Sequence, residues 1–294
     1  MELVSLKNTQ HHIVPLLQNR IRIVDYLPGI FTSFSSKSAI KKALKKELIS
    51  IDDTIATTAN LVSGGEKIVI KPDVEKTKKP IVELKLDVFY EDDYLAVVFK
   101  PAGITVSGNK YHTLENALDY NLKSSNEVDS LVKPEPVHRL DHPTSGLLLV
   151  AKTKEVLIDL NKLFENKQVE KKYVAITIGN MEANGVISSP IEQKDCLTLY
   201  KVLKSIKSER FDKLNLVDLT PKTGRKHQLR IHMTQNGNPI LGDKEHGIEG
   251  LILTRKGLYL HAYELKFLHP KTKELISVKA PIPDKFLKIF PDFI

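Results

Sequence analysis

The sequence predicts an α+β protein made of a small N-terminal domain and a larger C-terminal one. Three observations carry this reading. From about residue 85 onward, β-like stretches at 87–90, 94–99, 147–151, 172–178, 214–219, 228–232 and 259–267 are interrupted by two helical segments, 113–122 and 156–166. That irregular spacing fits an α+β domain and not a doubly wound one. Residues 20–70 carry their own short helix and strands, and a charged, proline-bounded stretch separates the two regions.

In the N-terminal region, Ala39, Ile40, Ala43 and Leu44 recur at helical spacing over 38–47 and form one apolar stripe. Lys37, Lys41, Lys42, Lys45 and Lys46 cover the rest of that helix, and Ser36 or Ser38 caps it. Short strands follow at 48–51 and, after the turn Ser63-Gly64-Gly65-Glu66, at 67–70. Residues 71–84, with Pro72 and Pro80 and a run of charge between them, read as a linker. The expected organisation is therefore 1–70, a linker at 71–84, and a main domain at 85–294. In that main domain the helix at 156–166 places Leu157, Leu160 and Phe164 on one face.

Composition narrows the function classes. At 294 residues and 41% hydrophobic, the chain has enough apolar side chains for a packed core. There is no apolar run of transmembrane length and no secretory leader pattern at the first residues. The single cysteine, Cys196, forms no internal disulfide, which fits a reducing cytoplasm. No cysteine–histidine spacing of a structural zinc site occurs, no glycine-rich nucleotide fingerprint, and no Gly-x-Ser-x-Gly of a serine hydrolase. The net charge of +8 suits a polyanionic partner, or reflects a lysine-rich composition in general.

Four segments carry chemistry. From Val137 to Gly146, charged and polar residues lie between two apolar strands. Pro143 and Gly146 force a turn, so Asp141 sits where a strand runs out, a frequent place for a reactive group. An aspartate there is a base, a nucleophile or a metal ligand, although no second carboxylate stands nearby for a metal. A turn aspartate capping backbone amides is the bland alternative. From Pro221 to His232, four cationic side chains and two histidines crowd together. On a strand, Gln228, Arg230 and His232 share one face, suited to phosphates and base edges, with a solvated basic strand as the alternative. Around Lys171-Lys172-Tyr173 a helix gives way to a strand, and Tyr173 is either a stacking platform for a base or a core residue. Finally, Tyr90-Glu91-Asp92 and Lys100-Pro101-Ala102-Gly103 bracket an apolar strand, and Lys100 is a binding residue or an ordinary surface lysine.

In this order the segments resemble the RluA family of pseudouridine synthases. The resemblance rests on Tyr90-Glu91-Asp92, Lys100-Pro101-Ala102-Gly103, His138-Arg139-Leu140-Asp141 with Thr144-Ser145-Gly146, Lys172-Tyr173, and Thr223-Gly224-Arg225 with His227 to His232. Gly242-Asp243, Leu260-His261-Ala262 and His269-Pro270 complete it, so that it covers roughly residues 85–285. Residues 20–70 resemble, more loosely, the small RNA-binding domain named after a ribosomal protein of the small subunit. Ser50-Ile51-Asp52-Asp53-Thr54 stands where an Asn-Gly turn is usual, and His142-Pro143 where an Arg-Asp pair is common.

The resemblance implies a mixed, mainly antiparallel sheet and an isomerase that converts uridine in RNA to pseudouridine. The base is detached from its nitrogen glycosidic bond, turned, and rejoined through carbon 5. No cofactor is implied, since the product is an isomer. Asp141 carries over as the essential acid, which attacks the anomeric carbon, removes a ribose proton to give a glycal, or adds to the base. Arg230 would pair with Asp141, Tyr173 would stack on the base, and Arg139 would hold the extruded nucleotide. Arg225 and Lys100 would contact phosphate. Large-subunit ribosomal RNA or transfer RNA is the implied partner, the small domain favouring the former, and a cytoplasmic monomer with no membrane contact is expected.

Overall fold

The computed structural model describes residues 9–31, 36–71 and 81–293. The chain divides into two compact units, Met1–Lys79 and Pro80–Ile294. Residues 72–80 of the expected linker lie outside the described residues, and its last residues already belong to the larger unit. Val82 is buried in that unit's core, and its amide donates to the Asn116 carbonyl at 2.9 Å.

The smaller unit contains β1 (Gln10–Ile13), β2 (Ile21–Arg22), α1 (Ile23–Tyr26), α2 (Lys37–Lys45), β3 (Ile49–Ile51), β4 (Thr54–Ile55), β5 (Leu61–Val62) and β6 (Lys67–Ile70). Strands β1-β6-β3-β4 form an antiparallel sheet, and β2 pairs with β5. Of the two candidate caps, Ser36 starts α2: its hydroxyl accepts from the Ala39 amide at 3.2 Å. Ile40, Ala43 and Leu44 are buried against Ile23, Leu27, Ile49 and Ile68, which leaves the lysines of α2 outside.

The larger unit continues with β7 (Val88–Glu91), β8 (Leu95–Lys100), α3 (Leu114–Asn121), β9 (Ser130–Pro136), β10 (Ser145–Thr153), α4 (Lys154–Glu165), β11 (Glu170–Ile178), β12 (Asn184–Ile187), β13 (Thr198–Ser208), β14 (Asp212–Pro221), α5 (Gln228–Gln235), β15 (Leu260–Leu268), β16 (Leu275–Lys279) and α6 (Asp284–Leu287). Eight strands run in the order β12-β13-β14-β11-β15-β10-β8-β7, with β16 beside β15 and β9 beside β10. The pairings are antiparallel except β10 with β15.

Strand β10 lies at the centre, and every residue in it is buried. Its Leu148 and Val150 join one core, with Leu114, Leu118, Leu229 and Met233; its Leu147, Leu149 and Ala151 join another, with Val156, Leu160 and Phe267. A strand covered on both faces must be apolar at every position, which is why 147–151 reads as a continuous run. Gly146, where β10 meets β15, has φ +128°, and a Cβ there would collide with the Ala262 carbonyl oxygen. Only glycine permits that approach.

One predicted element is wrong. Residues 228–232 are not a strand but the first turns of α5. Leu229 and Met233, four apart, supply its core contacts. The polar alternation of Gln228, Arg230 and His232 mimics a strand because all three side chains are buried with dedicated partners. Among the described residues no helix is long and apolar enough to cross a membrane.

Candidate active site

The loop between β9 and β10 holds Asp141 in place. After β9 ends, the chain remains fixed to β10: the Val137 amide donates to the Leu149 carbonyl at 3.0 Å, and His138 Nε2 accepts from the Leu149 amide at 3.0 Å. The His138 ring stacks on Phe164 of α4, with centroids 4.8 Å apart. Burial, reinforced by Lys171, pushes its pKa down to about 3, so the imidazole is neutral and serves as an acceptor. Leu140 anchors in the core, and the Thr144 amide closes a turn on the Asp141 carbonyl at 3.0 Å. The Gly103 amide and Lys100 Nζ both reach the His142 carbonyl, at 2.8 and 3.3 Å. Asp141 is thus presented on a loop tied down at both sides, its side chain 25% exposed.

Lys100 contributes from inside. It is fully buried, and its ammonium donates to the carbonyls of Pro101, Ile104 and His142 at 3.0, 2.9 and 3.3 Å. Burial draws its pKa down to about 8, against the pull of Asp141. All three protons are engaged, so the expected phosphate contact is corrected: Lys100 clamps the loop that carries Asp141.

A cavity of about 520 Å³ opens at Asp141. Arg139, Lys171, Arg225, Lys226 and Arg230 line it, with Asp141 its one carboxylate among the described residues. This excess of cations suits a phosphodiester chain. Tyr173 forms an inner wall. A bulge between Lys172 and Tyr173 interrupts the β11–β15 register and re-aims the tyrosine. Burial and the nearby Asp141 raise the pKa of its hydroxyl, which therefore stays protonated at neutral pH. Lys171 lines the cavity, whereas Lys172 turns away to pair with Glu264 at 3.3 Å.

The conformation after β14 is set by Gln228. Its Oε1 accepts from Thr223 Oγ1 at 2.7 Å and from the Arg225 amide at 3.1 Å; its Nε2 donates to the Leu197 carbonyl and Thr198 Oγ1. Thr198 Oγ1 in turn meets His232 Nδ1 at 2.9 Å, and His232 Nε2 meets the Ser189 carbonyl at 3.0 Å. Gln228 and His232 are therefore internal struts that present Thr223, Gly224 and Arg225 to the cavity. They are not groups for reading bases.

Arg230 does approach Asp141, with 3.5 Å between NH1 and Oδ2. Its strongest partner is Asp243, which accepts from Nε and NH2 at 2.7 Å each, while Glu245 accepts from NH2 at 3.1 Å. Asp243 is nearly inaccessible and also accepts from the amides of Glu245 and His246 at 3.0 Å. Burial alone would raise the Asp243 pKa; Arg230 and these amides outweigh it and hold the carboxyl below its ordinary range. Such a bidentate pair fixes the guanidinium plane. In the sequence Asp243 stands only among the segments carrying the resemblance, with no local pattern that pairs it with Arg230. His227, in the left-handed region at φ 54°, puts Nε2 3.8 Å from Asp141 Oδ1, a proximity that no local sequence pattern announces.

A cavity with one carboxylate, a buried tyrosine and a ring of cations fits chemistry on a nucleic acid base. Comparison with known proteins makes it specific. Residues 94–235 match the RNA pseudouridylate synthase family. Ribosomal large subunit pseudouridine synthase D of Nitrosomonas europaea is 32% identical, over 85% of this chain and 78% of that protein. Its counterpart in Vibrio cholerae is also 32% identical, over 91% and 90%. Among solved structures, human RNA pseudouridylate synthase domain containing 1 matches with a TM-score of 0.56 and 27% identity, over 69% of this chain and 85% of that one. The chain belongs to the RNA pseudouridylate synthase family, and it is an isomerase that makes pseudouridine in RNA.

Proposed function

We propose that this enzyme modifies uridine in large-subunit ribosomal RNA, in the cytoplasm and as a monomer, with Asp141 as its catalytic carboxylate. The observation that carries the assignment of Asp141 is that it and Tyr173 line the same cavity, with Arg230 beside the carboxylate. A uridine turned out of its helix enters there, its ring against Tyr173 and its ribose at Asp141. The Asp141 carboxylate acts on the ribose, at the anomeric carbon or at a ribose proton, while Arg230 keeps it ionised and aimed. Detachment leaves a uracil that turns within the cavity against the Tyr173 ring; carbon 5 then bonds to the ribose and gives up its proton while nitrogen 1 takes one, so the product is an isomer. Arg139, Arg225 and Lys171 hold the flanking phosphates. Large-subunit ribosomal RNA is favoured by the names of the bacterial relatives, ribosomal large subunit pseudouridine synthases. The free, buried Cys196 suits a reducing compartment.

The smaller unit serves RNA affinity. Its α2 presents Lys41, Lys42 and Lys45 outward from an apolar base. The test is a pseudouridine map of total RNA from a strain lacking the protein, complemented with the wild type or with Asp141→Asn. Loss of a large-subunit site that only the wild type restores is the expected result. A missing transfer-RNA site would move the substrate, and rescue by Asp141→Asn would remove Asp141 from the chemistry.

A further inference from the structure

The sequence shows no metal-binding pattern, but folding assembles three ligand atoms beside the active site. His227 precedes α5, and Glu245 and His246 lie on the turn after Asp243. His227 Nδ1 is 2.8 Å from His246 Nε2 and 3.3 Å from Glu245 Oε1, and His246 Nε2 is 3.8 Å from that same oxygen. A tetrahedral ion bound at about 2.0–2.1 Å places its ligand atoms about 3.3 Å from one another. The sides of this triangle bracket that value, so an ion needs only small side-chain adjustments to reach all three.

The ligands are also held in advance. Asp243 Oδ1 accepts the amides of Glu245 and His246, which fixes their turn, and Thr234 Oγ1 donates to the His246 carbonyl. Glu245 uses its other oxygen, Oε2, on Arg230. The two imidazoles are mostly buried, with side-chain exposures of 15% and 23%, whereas Glu245 is 56% exposed and leaves an open side for a water ligand. Arg230, which bonds Glu245, is already neutralised by Asp243 and Asp141.

We propose that His227 Nδ1, His246 Nε2 and Glu245 Oε1 bind a divalent transition-metal ion of the zinc class, with water as fourth ligand, and that occupancy inhibits the enzyme. An ion on Nδ1 forces the ring proton of His227 onto Nε2, the nitrogen facing Asp141 Oδ1 at 3.8 Å. Once the ring closes that gap to hydrogen-bond length, metal, imidazole and carboxylate form a chain of the kind that commonly orients metal-bound histidines. Here the carboxylate is the reactive group, so a hydrogen bond and nearby positive charge make it less reactive. The inhibitory arm rests on the assignment of Asp141 above; the binding arm does not.

The full-length protein, treated with EDTA and dialysed, is titrated with Co²⁺, whose tetrahedral complexes absorb strongly in the visible, and then with Zn²⁺ in competition. One equivalent is expected to bind, with His246→Ala and Glu245→Gln each weakening it by about a hundredfold. Asp141→Asn keeps the spectrum. Stoichiometric Zn²⁺ is expected to slow pseudouridine formation at least tenfold in the wild type, with EDTA reversing it, and to leave the residual rate of His246→Ala unaltered. Absence of a tetrahedral spectrum, or equal affinity in the variants, overturns the site. Tight binding without inhibition overturns its coupling to Asp141. An active Asp141→Asn enzyme refutes the catalytic assignment alone, since the spectra stand apart from it.

Discussion

Arg230 lies 3.5 Å from Asp141, yet both of its 2.7 Å bonds go to Asp243. The interaction expected to matter most for catalysis thus depends on a second carboxylate that never reaches the cavity. Asp243 sets the plane of the guanidinium, and NH1 is left to face Asp141.

Removing that support should cost both stability and rate. Asp243→Asn leaves a buried guanidinium without its principal counter-charge, a change expected to lose about 3 kcal/mol in denaturant unfolding. Turnover of saturating RNA should fall about a hundredfold, because a misplaced group affects the reacting geometry. KM should change little, since Asp243 touches no part of the cavity. A larger effect on KM than on kcat would contradict its role as a positioning residue.

Neighbouring lysines should behave differently. Lys171 lines the cavity and is partly desolvated, whereas Lys172 pairs with Glu264 outside it. Lys171→Ala should lower kcat/KM by roughly tenfold or more and reduce the salt slope of RNA binding by about one. Lys172→Ala should stay within about threefold of wild type, as expected of a partly exposed ion pair away from the cavity. Equal effects would show that both reach the RNA.

Acid should loosen the Asp141 loop through His138. Its folded pKa is depressed to about 3, while the unfolded chain titrates near 6.5. Between those values the unfolded state binds one more proton, so stability rises with pH across the window and is lost as pH falls through it. Between pH 7 and pH 4.5 this contribution amounts to about 2–3 kcal/mol. Urea unfolding at the two pH values should show it in the wild type, and His138→Asn, which keeps an acceptor without the titration, should flatten the difference.

The lysines of α2 offer a separable test of the smaller unit. Lys41→Glu with Lys42→Glu should weaken RNA binding about tenfold and flatten its salt dependence, with single-turnover chemistry at saturating RNA nearly unaltered. Unchanged affinity would deny this unit a part in RNA binding.

How much of this was legible beforehand varies by residue. The turn at Pro143 and Gly146 located Asp141 at a strand end, and the apolar run at 147–151 announced a doubly covered strand. The stripe of Ile40, Ala43 and Leu44 marked α2. These are local patterns, in which a few adjacent residues carry the physical cause. The 228–232 segment misled because its polar residues are buried: period-2 polarity signals a strand only when polar means exposed. Lys100 misled for the same reason, since three carbonyls brought together by folding solvate its ammonium in place of water.

The sequence by itself determined which groups this protein has for its chemistry, and where along the chain a turn would expose a carboxylate ahead of a buried strand. Tertiary structure alone decided the partners: Asp243 for Arg230, carbonyls for Lys100, His246 for His227. The physical reason is that hydrogen bonds and ion pairs are short-ranged, whereas these partners are separated by loops and strands whose closure is set by the packing of the whole sheet.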